Sequence, residues 1–271
     1  MDTGVRSEHE YLPPRPWQMD FYLSSHEDLG YCAYVDTLPE ECADYLEAAM
    51  DLAEQYGDYA YIIEHYWWLR GFETTRGEKE HLRLQKLFDK KQIGLSVNHN
   101  GNHTHWQSGE QLIRAMYYGC RQAKQTWRIT PDTVIYADIA GASWSCVSAY
   151  VKAGVKYLLI LANKYLRFSV DDDTLPPVFW WVAPNGGDRL LVYRQAGYKC
   201  KTIARATGAP FSQTKGAAPF HFDETRMENT MQAVDQVIRE FGDVPYDHLP
   251  ISYYMDREYP STDMKVICDA M

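Results

Sequence analysis

The chain has 271 residues, of which 45% are hydrophobic and 24% charged, so its composition is that of a globular protein and excludes a disordered, collagen-like or disulfide-stapled chain. Its 37 acidic residues outnumber its 27 basic ones and give a formal net charge of −10, which argues against nucleic acid as a partner and is compatible with a neutral sugar. The length corresponds to two average domains or to one large α/β barrel.

Neither a membrane span nor a secretion signal is visible in the sequence. No apolar run approaches the roughly 20 residues that a spanning helix needs. The N-terminal stretch of 1–16 lacks the apolar core of a signal peptide, and the six cysteines show no CxxC spacing. We therefore expect a cytoplasmic protein with reduced thiols and no membrane partner.

The predicted elements of the first half alternate between short apolar strands and amphipathic helices. Pro39 suits the first turn of a helix, and Ser108, followed by Glu110 and Gln111, is typical of a helix start. In chain order we predict a strand at 19–25, a helix at 39–56, a strand at 59–66, a helix at 77–91, a strand at 93–97 and a helix from residue 108 onward.

The second half continues the alternation and adds a hairpin. Asn185-Gly186 between two apolar runs is the strongest short-range signal for a β-hairpin, here at 178–194. A β-α series of this kind predicts an α/β fold with a parallel sheet, and such folds place their chemistry at the carboxyl ends of the strands. The remaining predicted elements are strands at 133–137, 157–161 and 249–255 and helices at 144–153 and 223–241.

Polar residues close three of these strands. His26 and Asp28 stand at i and i+2 at the end of the first strand, so both side chains can face one cation, and an imidazole with a carboxylate suits zinc better than magnesium or calcium. A polar strand end in which Asp28 caps a turn before Gly30 is the more frequent explanation of this short pattern. The H-x-D spacing alone is therefore a weak signal.

Two further carboxylates follow strands. Asp138 ends an apolar strand, where its charge needs a cation or hydrogen bonds to compensate it, and a capping turn is an equal alternative. Asp256 follows the last strand, and catalysis and structure explain it equally well. For Glu258 an ion pair with Arg257 is the simpler explanation.

Aromatic and histidine clusters are less specific. The doublets Trp67-Trp68 and Trp180-Trp181 could stack on sugars but are more often core residues, and the three histidines of 98–105 are more often a solvated loop than metal ligands. We predict that Trp68 and Tyr198 bind substrate. No sequence typical of serine hydrolases, dinucleotide-binding folds or phosphoryl transfer occurs.

Six short motifs follow one another over nearly the whole chain: SHEDLGY (25–31), EHYWW (64–68), YADIAG (136–141), KAGVKYLLI (152–160), FWWVAPNGGDRLLVY (179–193) and LPISYYMDREYP (249–260). In this order they resemble the N-terminal catalytic domain of glycoside hydrolase family 38, the α-mannosidases. The resemblance implies a seven-stranded β/α barrel-like fold, which we expect to occupy residues 1–271 as a single catalytic domain.

The resemblance also implies roles for the strand-end residues. His26 and Asp28 match the family's H-x-D zinc ligands, and Asp138 matches its nucleophile, which also binds the zinc. Asp256 falls near the acid/base aspartate, with Glu258 as the substitute. The family's fourth zinc ligand, a downstream histidine, and its helical and β-sandwich domains have no counterpart here. We therefore expect either a truncated fragment or a shortened relative of the family. In both cases we expect the metal site to lack one ligand and apolar surface to be exposed, through which the chain could form a homo-oligomer.

The resemblance thus implies a zinc-dependent retaining glycoside hydrolase that acts on a mannose-containing oligosaccharide or glycoside. In such an enzyme one carboxylate attacks the anomeric carbon and a second protonates the leaving oxygen. The nucleophile motif departs from the family's usual aromatic-Gly-His continuation, because Ala140-Gly141-Ala142 stands there. Two alternatives stay open: a metal-dependent carbohydrate deacetylase, and a non-catalytic carbohydrate-binding relative of the family.

Overall fold

A computed structural model of the chain describes residues 16–31, 33–139, 141–161, 176–195, 223–241, 246–256 and 259–262, with residues 265, 268 and 269. At 195, 240–241 and 252–256 the description covers the backbone alone. The elements in chain order are β1 Gln18–His26, α1 Leu38–Gln55, β2 Tyr61–Ile63, α2 Tyr66–Thr75, α3 Glu78–Asp89, β3 Ile93–Leu95, α4 Gly109–Thr126, β4 Thr133–Ala137, α5 Cys146–Lys152, β5 Tyr157–Leu161, β6 Val178–Val182, β7 Arg189–Gln195, α6 Glu224–Phe241 and β8 His248–Asp256.

The described strands form two four-stranded sheets. The first has the order β3-β2-β1-β8 and is parallel throughout. The second has the order β4-β5-β7-β6 and is parallel except for β6, which pairs antiparallel with β7. This antiparallel pair is the predicted hairpin, and Gly186 in its turn has a φ of +72°, a conformation that favours glycine.

Two contacts connect the sheets into a barrel-like domain. On one side the backbone N–H of Val97, just after β3, donates to the carbonyl of Thr133 in β4 at 2.9 Å. On the other side the Tyr193 hydroxyl of β7 donates to the carbonyl of Pro250 in β8. Seven strands therefore follow one another around the domain, although no β-ladder closes the ring among the described residues. The predicted α/β barrel-like fold is confirmed.

Most predicted elements lie within two residues of the observed ones, and the helix caps explain why. Ser108 forms a capping box with Gln111 at the start of α4, and Gly154 follows α5 with a φ of +93°. The predicted strand at 59–66 is wrong in its second half, because it ends at Ile63 and a helix begins at Tyr66. The aromatic run there is typical of a strand, but tertiary packing favours a helix that buries its apolar face.

Two main cores fill the domain. One lies between β1–β3 and α1–α3, and the other lies between the second sheet and helices α4 and α5. Helices α1 and α2 approach closely at Gly71, where an added Cβ would lie 2.8 Å from the carbonyl oxygen of Pro39. At the end of α2, Arg76 binds three acidic residues of α1: Glu40, Asp44 and Glu47. These contacts hold α1 and α2 together behind the first sheet.

None of the helices in the described part of the chain is long and apolar enough to cross a membrane. The thiols of Cys120, Cys146 and Cys268 are free. Burial raises the pKa of Cys146 to about 12, so this thiol stays neutral at physiological pH.

Candidate active site

Three of the predicted site residues come together at the carboxyl ends of the strands. His26 is the last residue of β1, and Asp138 follows β4 directly. The Nε2 atom of His26 lies 3.1 Å from Asp28 Oδ1 and 3.9 Å from Asp138 Oδ2. One ligand atom from each of the three residues lies within 4.8 Å of the other two. The structure therefore brings Asp138 next to His26 and Asp28, which lie far from it in the sequence.

The backbone at Asp138 has an unusual conformation. Its φ is +52°, in the left-handed region that non-glycine residues seldom adopt and that aspartate tolerates better than most. Its N–H donates to the carbonyl of Leu161, at the end of the neighbouring β5, at 3.3 Å. Strained backbone of this kind is concentrated at functional sites, where the surrounding structure maintains it.

A second layer of ionisable groups lies behind His26, at the end of β2. Glu64 accepts from Nδ1 of His26 at 3.0 Å and from Nε2 of the adjacent His65 at 3.1 Å. All three side chains are buried. Burial alone would lower the pKa of His26, but the Glu64 and Asp28 carboxylates raise it well above its usual value. Burial opposes ionisation of Glu64, yet His65 and His26 hold its pKa well below its usual range.

Glu64 and His65 were not among the predicted site residues. The signal that could have found them is the one that found Asp138, namely a polar residue directly after an apolar strand. Because the strand was predicted to continue through Tyr66, its true end after Ile63 was hidden.

The three residues line a cavity of about 180 Å³ at this edge of the sheets. Its lining residues are His26, Glu27, Asp28, Leu29, His65, Asn100, Gly101, His103, Ala137, Asp138 and Ile139. A larger cavity, of about 410 Å³, lies between α4 and α5, but its lining contains neither a carboxylate nor a histidine. Of these two cavities, only the smaller one is lined by both carboxylates and histidines.

The histidine-rich segment is an ordered wall of this cavity rather than a solvated loop. Its residues Asn98, Asn102 and Thr104 are buried, and the Thr104 hydroxyl accepts from the N–H of Ser143 at 2.8 Å. Burial and the neighbouring His105 lower the pKa of His103, while Asp138 acts in the opposite direction. The ring of His103 stacks on Trp106, with the ring centres 4.9 Å apart.

The remaining predicted site residues lie in different surroundings. The backbone of Asp256 pairs with that of His26 across β8 and β1, whereas Glu258 and Tyr198 lie outside the described residues. Trp68 is only 2% exposed and packs in the core, 5.8 Å from the ring of Tyr45. This position does not support the prediction that Trp68 contacts substrate, because neither face of a core indole is available to a sugar.

The donor set of His26, Asp28 and Asp138 fits a divalent cation. It offers one imidazole nitrogen and two carboxylate oxygens on one side of a cavity, and zinc commonly binds such a combination. Compared with a site of oxygen ligands alone, the imidazole disfavours magnesium and calcium.

Comparison with known proteins decides the family. A family model described as the glycosyl hydrolases family 38 N-terminal domain matches residues 17–249. The chain belongs to this family. The family 38 membership that the six motifs predicted is thereby confirmed. A search of curated proteins found no match.

Solved structures with the same fold include members of family 38 and a transferase. An alpha-mannosidase from Enterococcus faecalis V583 aligns with a TM-score of 0.70 and 14% identity, over 93% of this chain and 26% of its own. A second family 38 protein from Enterococcus faecalis aligns with a TM-score of 0.61 and 11% identity, over 95% of this chain and 28% of its own. A 4-alpha-glucanotransferase from Thermococcus litoralis aligns with a TM-score of 0.61 and 13% identity, over 94% of this chain and 36% of its own.

This chain thus spans only 26–36% of the lengths of these proteins. At such low identities the likeness shows the fold alone. Fold by itself does not fix the reaction, so function must be argued from the site.

Proposed function

We propose that this family 38 domain carries the active site of a retaining glycosidase that acts on α-mannosides, with Asp138 as its nucleophile. The observation that carries the proposal is the meeting of Asp138, His26 and Asp28 within 4.8 Å at the ends of two strands. A nucleophilic carboxylate must be ionised at neutral pH, and a positively charged neighbour favours that state.

Zinc is the cation that we propose for this site, with His26, Asp28 and Asp138 as its ligands. Held by these residues, zinc would supply positive charge and Lewis acidity, and the adjacent cis-hydroxyls of mannose would suit chelation by such a cation. The protein's own contribution is to fix the three donor atoms on strand ends and on a constrained backbone.

The proposed reaction follows the two steps of retaining glycosidases. A carboxylate oxygen of Asp138 attacks the anomeric carbon and forms a glycosyl ester, while a second carboxylic acid gives its proton to the leaving glycosidic oxygen. The second group, now a carboxylate, then accepts a proton from a water molecule, and this water hydrolyses the ester. We propose Asp256 for this acid/base role, with Glu258 as the alternative. The two carboxyl groups of such enzymes lie about 5–5.5 Å apart.

Turnover of an aryl α-mannoside in the presence of zinc tests the proposal. We expect Asp138→Asn to lower turnover at least about a thousandfold without unfolding the protein. Asp132→Asn is the matched control, because Asp132 precedes the same strand at its opposite end and pairs with Lys156 on the surface. Unchanged turnover in Asp138→Asn would contradict the proposed role.

Covalent trapping separates this function from a deacetylase. A fluorinated mannosyl reagent should label Asp138, and the labelled peptide can be identified by mass spectrometry. A deacetylase would form no such ester and would release acetate from an acetylated sugar. Binding of mannosides without hydrolysis or label would favour the non-catalytic alternative.

The cytoplasmic location, the single-domain organisation of residues 1–271 and self-association into a homo-oligomer stay predictions. Mannose-containing oligosaccharides or glycosides are the substrates that we propose.

A further inference from the structure

Two buried histidines share one carboxylate behind the candidate metal site. Glu64 Oε1 lies 3.0 Å from Nδ1 of His26 and 3.1 Å from Nε2 of His65, and its other oxygen lies 3.2 Å from the same Nδ1. The Glu64 side chain has no exposed surface, and each histidine side chain is 6% exposed. Because removing a carboxylate from water is costly, a buried carboxylate needs partners that offset this cost. At Glu64 two imidazoles are these partners.

The chemistry of the acceptor assigns the protons. An ionised carboxylate can only accept hydrogen bonds, so both histidines donate to Glu64. The hydrogen on the Glu64 side of His26 therefore sits on Nδ1. The opposite nitrogen, Nε2, is the one that faces Asp28 and Asp138, at 3.1 and 3.9 Å.

We propose that Glu64 is the positioning residue of the metal centre: it fixes the ring orientation and tautomer of His26, so that Nε2 is presented to the cation together with Asp28 and Asp138. This inference rests on the metal site proposed above. A metal-binding histidine commonly donates its second N–H to a carboxylate, and such a partner orients the ring and raises its basicity as a ligand.

His65 holds Glu64 from the other side. The carboxylate and the two imidazoles form one fixed unit because Glu64 Oε1 accepts from both rings. Gly101 and His65 line the same cavity, and a Cβ at Gly101 would lie 3.9 Å from Nε2 of His65. The network thus connects the end of β1 with the wall of the cavity through the end of β2.

Zinc affinity, measured by competition with a chromogenic chelator, tests the inference. We expect the unaltered protein to bind one zinc ion and Glu64→Gln to bind it roughly 10–100-fold more weakly, because the amide keeps the size but loses the charge. Glu73→Gln is the matched control. Glu73 also accepts from two side chains, the Tyr66 hydroxyl at 2.8 Å and the Trp127 indole at 2.6 Å, but it does not line the cavity.

The outcomes distinguish the two proposals. If the unaltered protein binds no zinc, the metal site itself is wrong and the inference is overturned with it. If the unaltered protein binds zinc and Glu64→Gln binds it equally well, the metal site stands and the positioning role is wrong. Weaker zinc binding by Glu64→Gln with unchanged binding by Glu73→Gln supports the role.

A spectroscopic measurement keeps the inference falsifiable if Glu64→Gln fails to fold. Nitrogen-15 NMR of histidine-labelled, zinc-loaded protein distinguishes the two ring nitrogens of His26. We expect a protonated Nδ1 and a metal-bound Nε2. The reverse assignment would overturn the proposal without any substitution at Glu64.

Discussion

His26 and Asp256 occupy paired positions at the ends of two neighbouring parallel strands. β1 and β8 pair over nine residues, from Gln18 opposite His248 to His26 opposite Asp256. Neighbouring strands lie about 4.8 Å apart. The backbone of the proposed acid/base is therefore beside that of a proposed metal ligand. Formation of the candidate active site thus depends on the pairing of the first and the last described strands.

The acid/base role of Asp256 can be tested with substrates of different leaving groups. We expect Asp256→Asn to slow hydrolysis of an alkyl mannoside by about 10²–10⁴-fold, because its leaving oxygen needs a proton. A dinitrophenyl mannoside should be affected far less, since its leaving group departs as an anion. Glu258→Gln is the comparison variant. If it shows the leaving-group dependence and Asp256→Asn does not, the role belongs to Glu258.

Removal of Asp28 should weaken metal binding. We expect Asp28→Asn to lower zinc affinity at least about tenfold, because a charged oxygen ligand beside His26 is lost. Asp20→Asn serves as the control, since Asp20 is an exposed carboxylate near the opposite end of β1. Equal zinc affinity in all three proteins, measured by equilibrium dialysis and elemental analysis, would exclude Asp28 as a ligand.

Arg76 should contribute to stability by holding α1 against α2. Its guanidinium donates to Glu47 at 2.9 Å and to Glu40 and Asp44 at 2.6 Å each, and the side chain is largely buried. We expect Arg76→Ala to lower the free energy of unfolding by about 1–2 kcal/mol, since the partners themselves are partly solvated. Urea denaturation measures this change. Arg114→Ala, which removes an exposed pair with Glu110, should leave the midpoint unchanged.

The close contact at Gly71 gives a prediction about packing. A methyl group there would meet two backbone atoms of Pro39, at 2.8 and 3.0 Å, so α1 and α2 must separate to accept it. We expect Gly71→Ala to destabilise the protein by about 1–3 kcal/mol. At Gly109, the first residue of α4, an added Cβ meets nothing within 4 Å, and Gly109→Ala should be equally or more stable. Equal thermal midpoints for the two variants would contradict this account of the contact.

Turn and cap residues predict many element boundaries of this fold, because they act on the backbone within a few residues of themselves. The hairpin follows from Asn185-Gly186, and the start of α4 follows from the Ser108 capping box. Helix α2 is different, since its aromatic residues have no strong helix preference and adopt the helix because Trp68 and Phe72 are buried together. That burial depends on α1 and the first sheet, which a local pattern does not describe.

The candidate site likewise contains residues that the sequence predicts and residues that it does not. His26, Asp28 and Asp138 are predictable because each lies at or just after the end of a strand of a parallel fold, where side chains from distant segments meet. The roles of Glu64 and His65 depend on the pairing of β1 with β2, which brings Glu64 to the far side of the His26 ring. The sequence shows neither this pairing nor the burial that makes Trp68 a core residue.

Diffraction from zinc-soaked crystals on both sides of the zinc absorption edge tests the central claim most directly. The account predicts an anomalous peak bonded to Nε2 of His26 and to carboxylate oxygens of Asp28 and Asp138, at about 2.0–2.2 Å from each. No peak among these three side chains, or a zinc ion held by other residues alone, would contradict the proposed metal centre and the mechanism built on it.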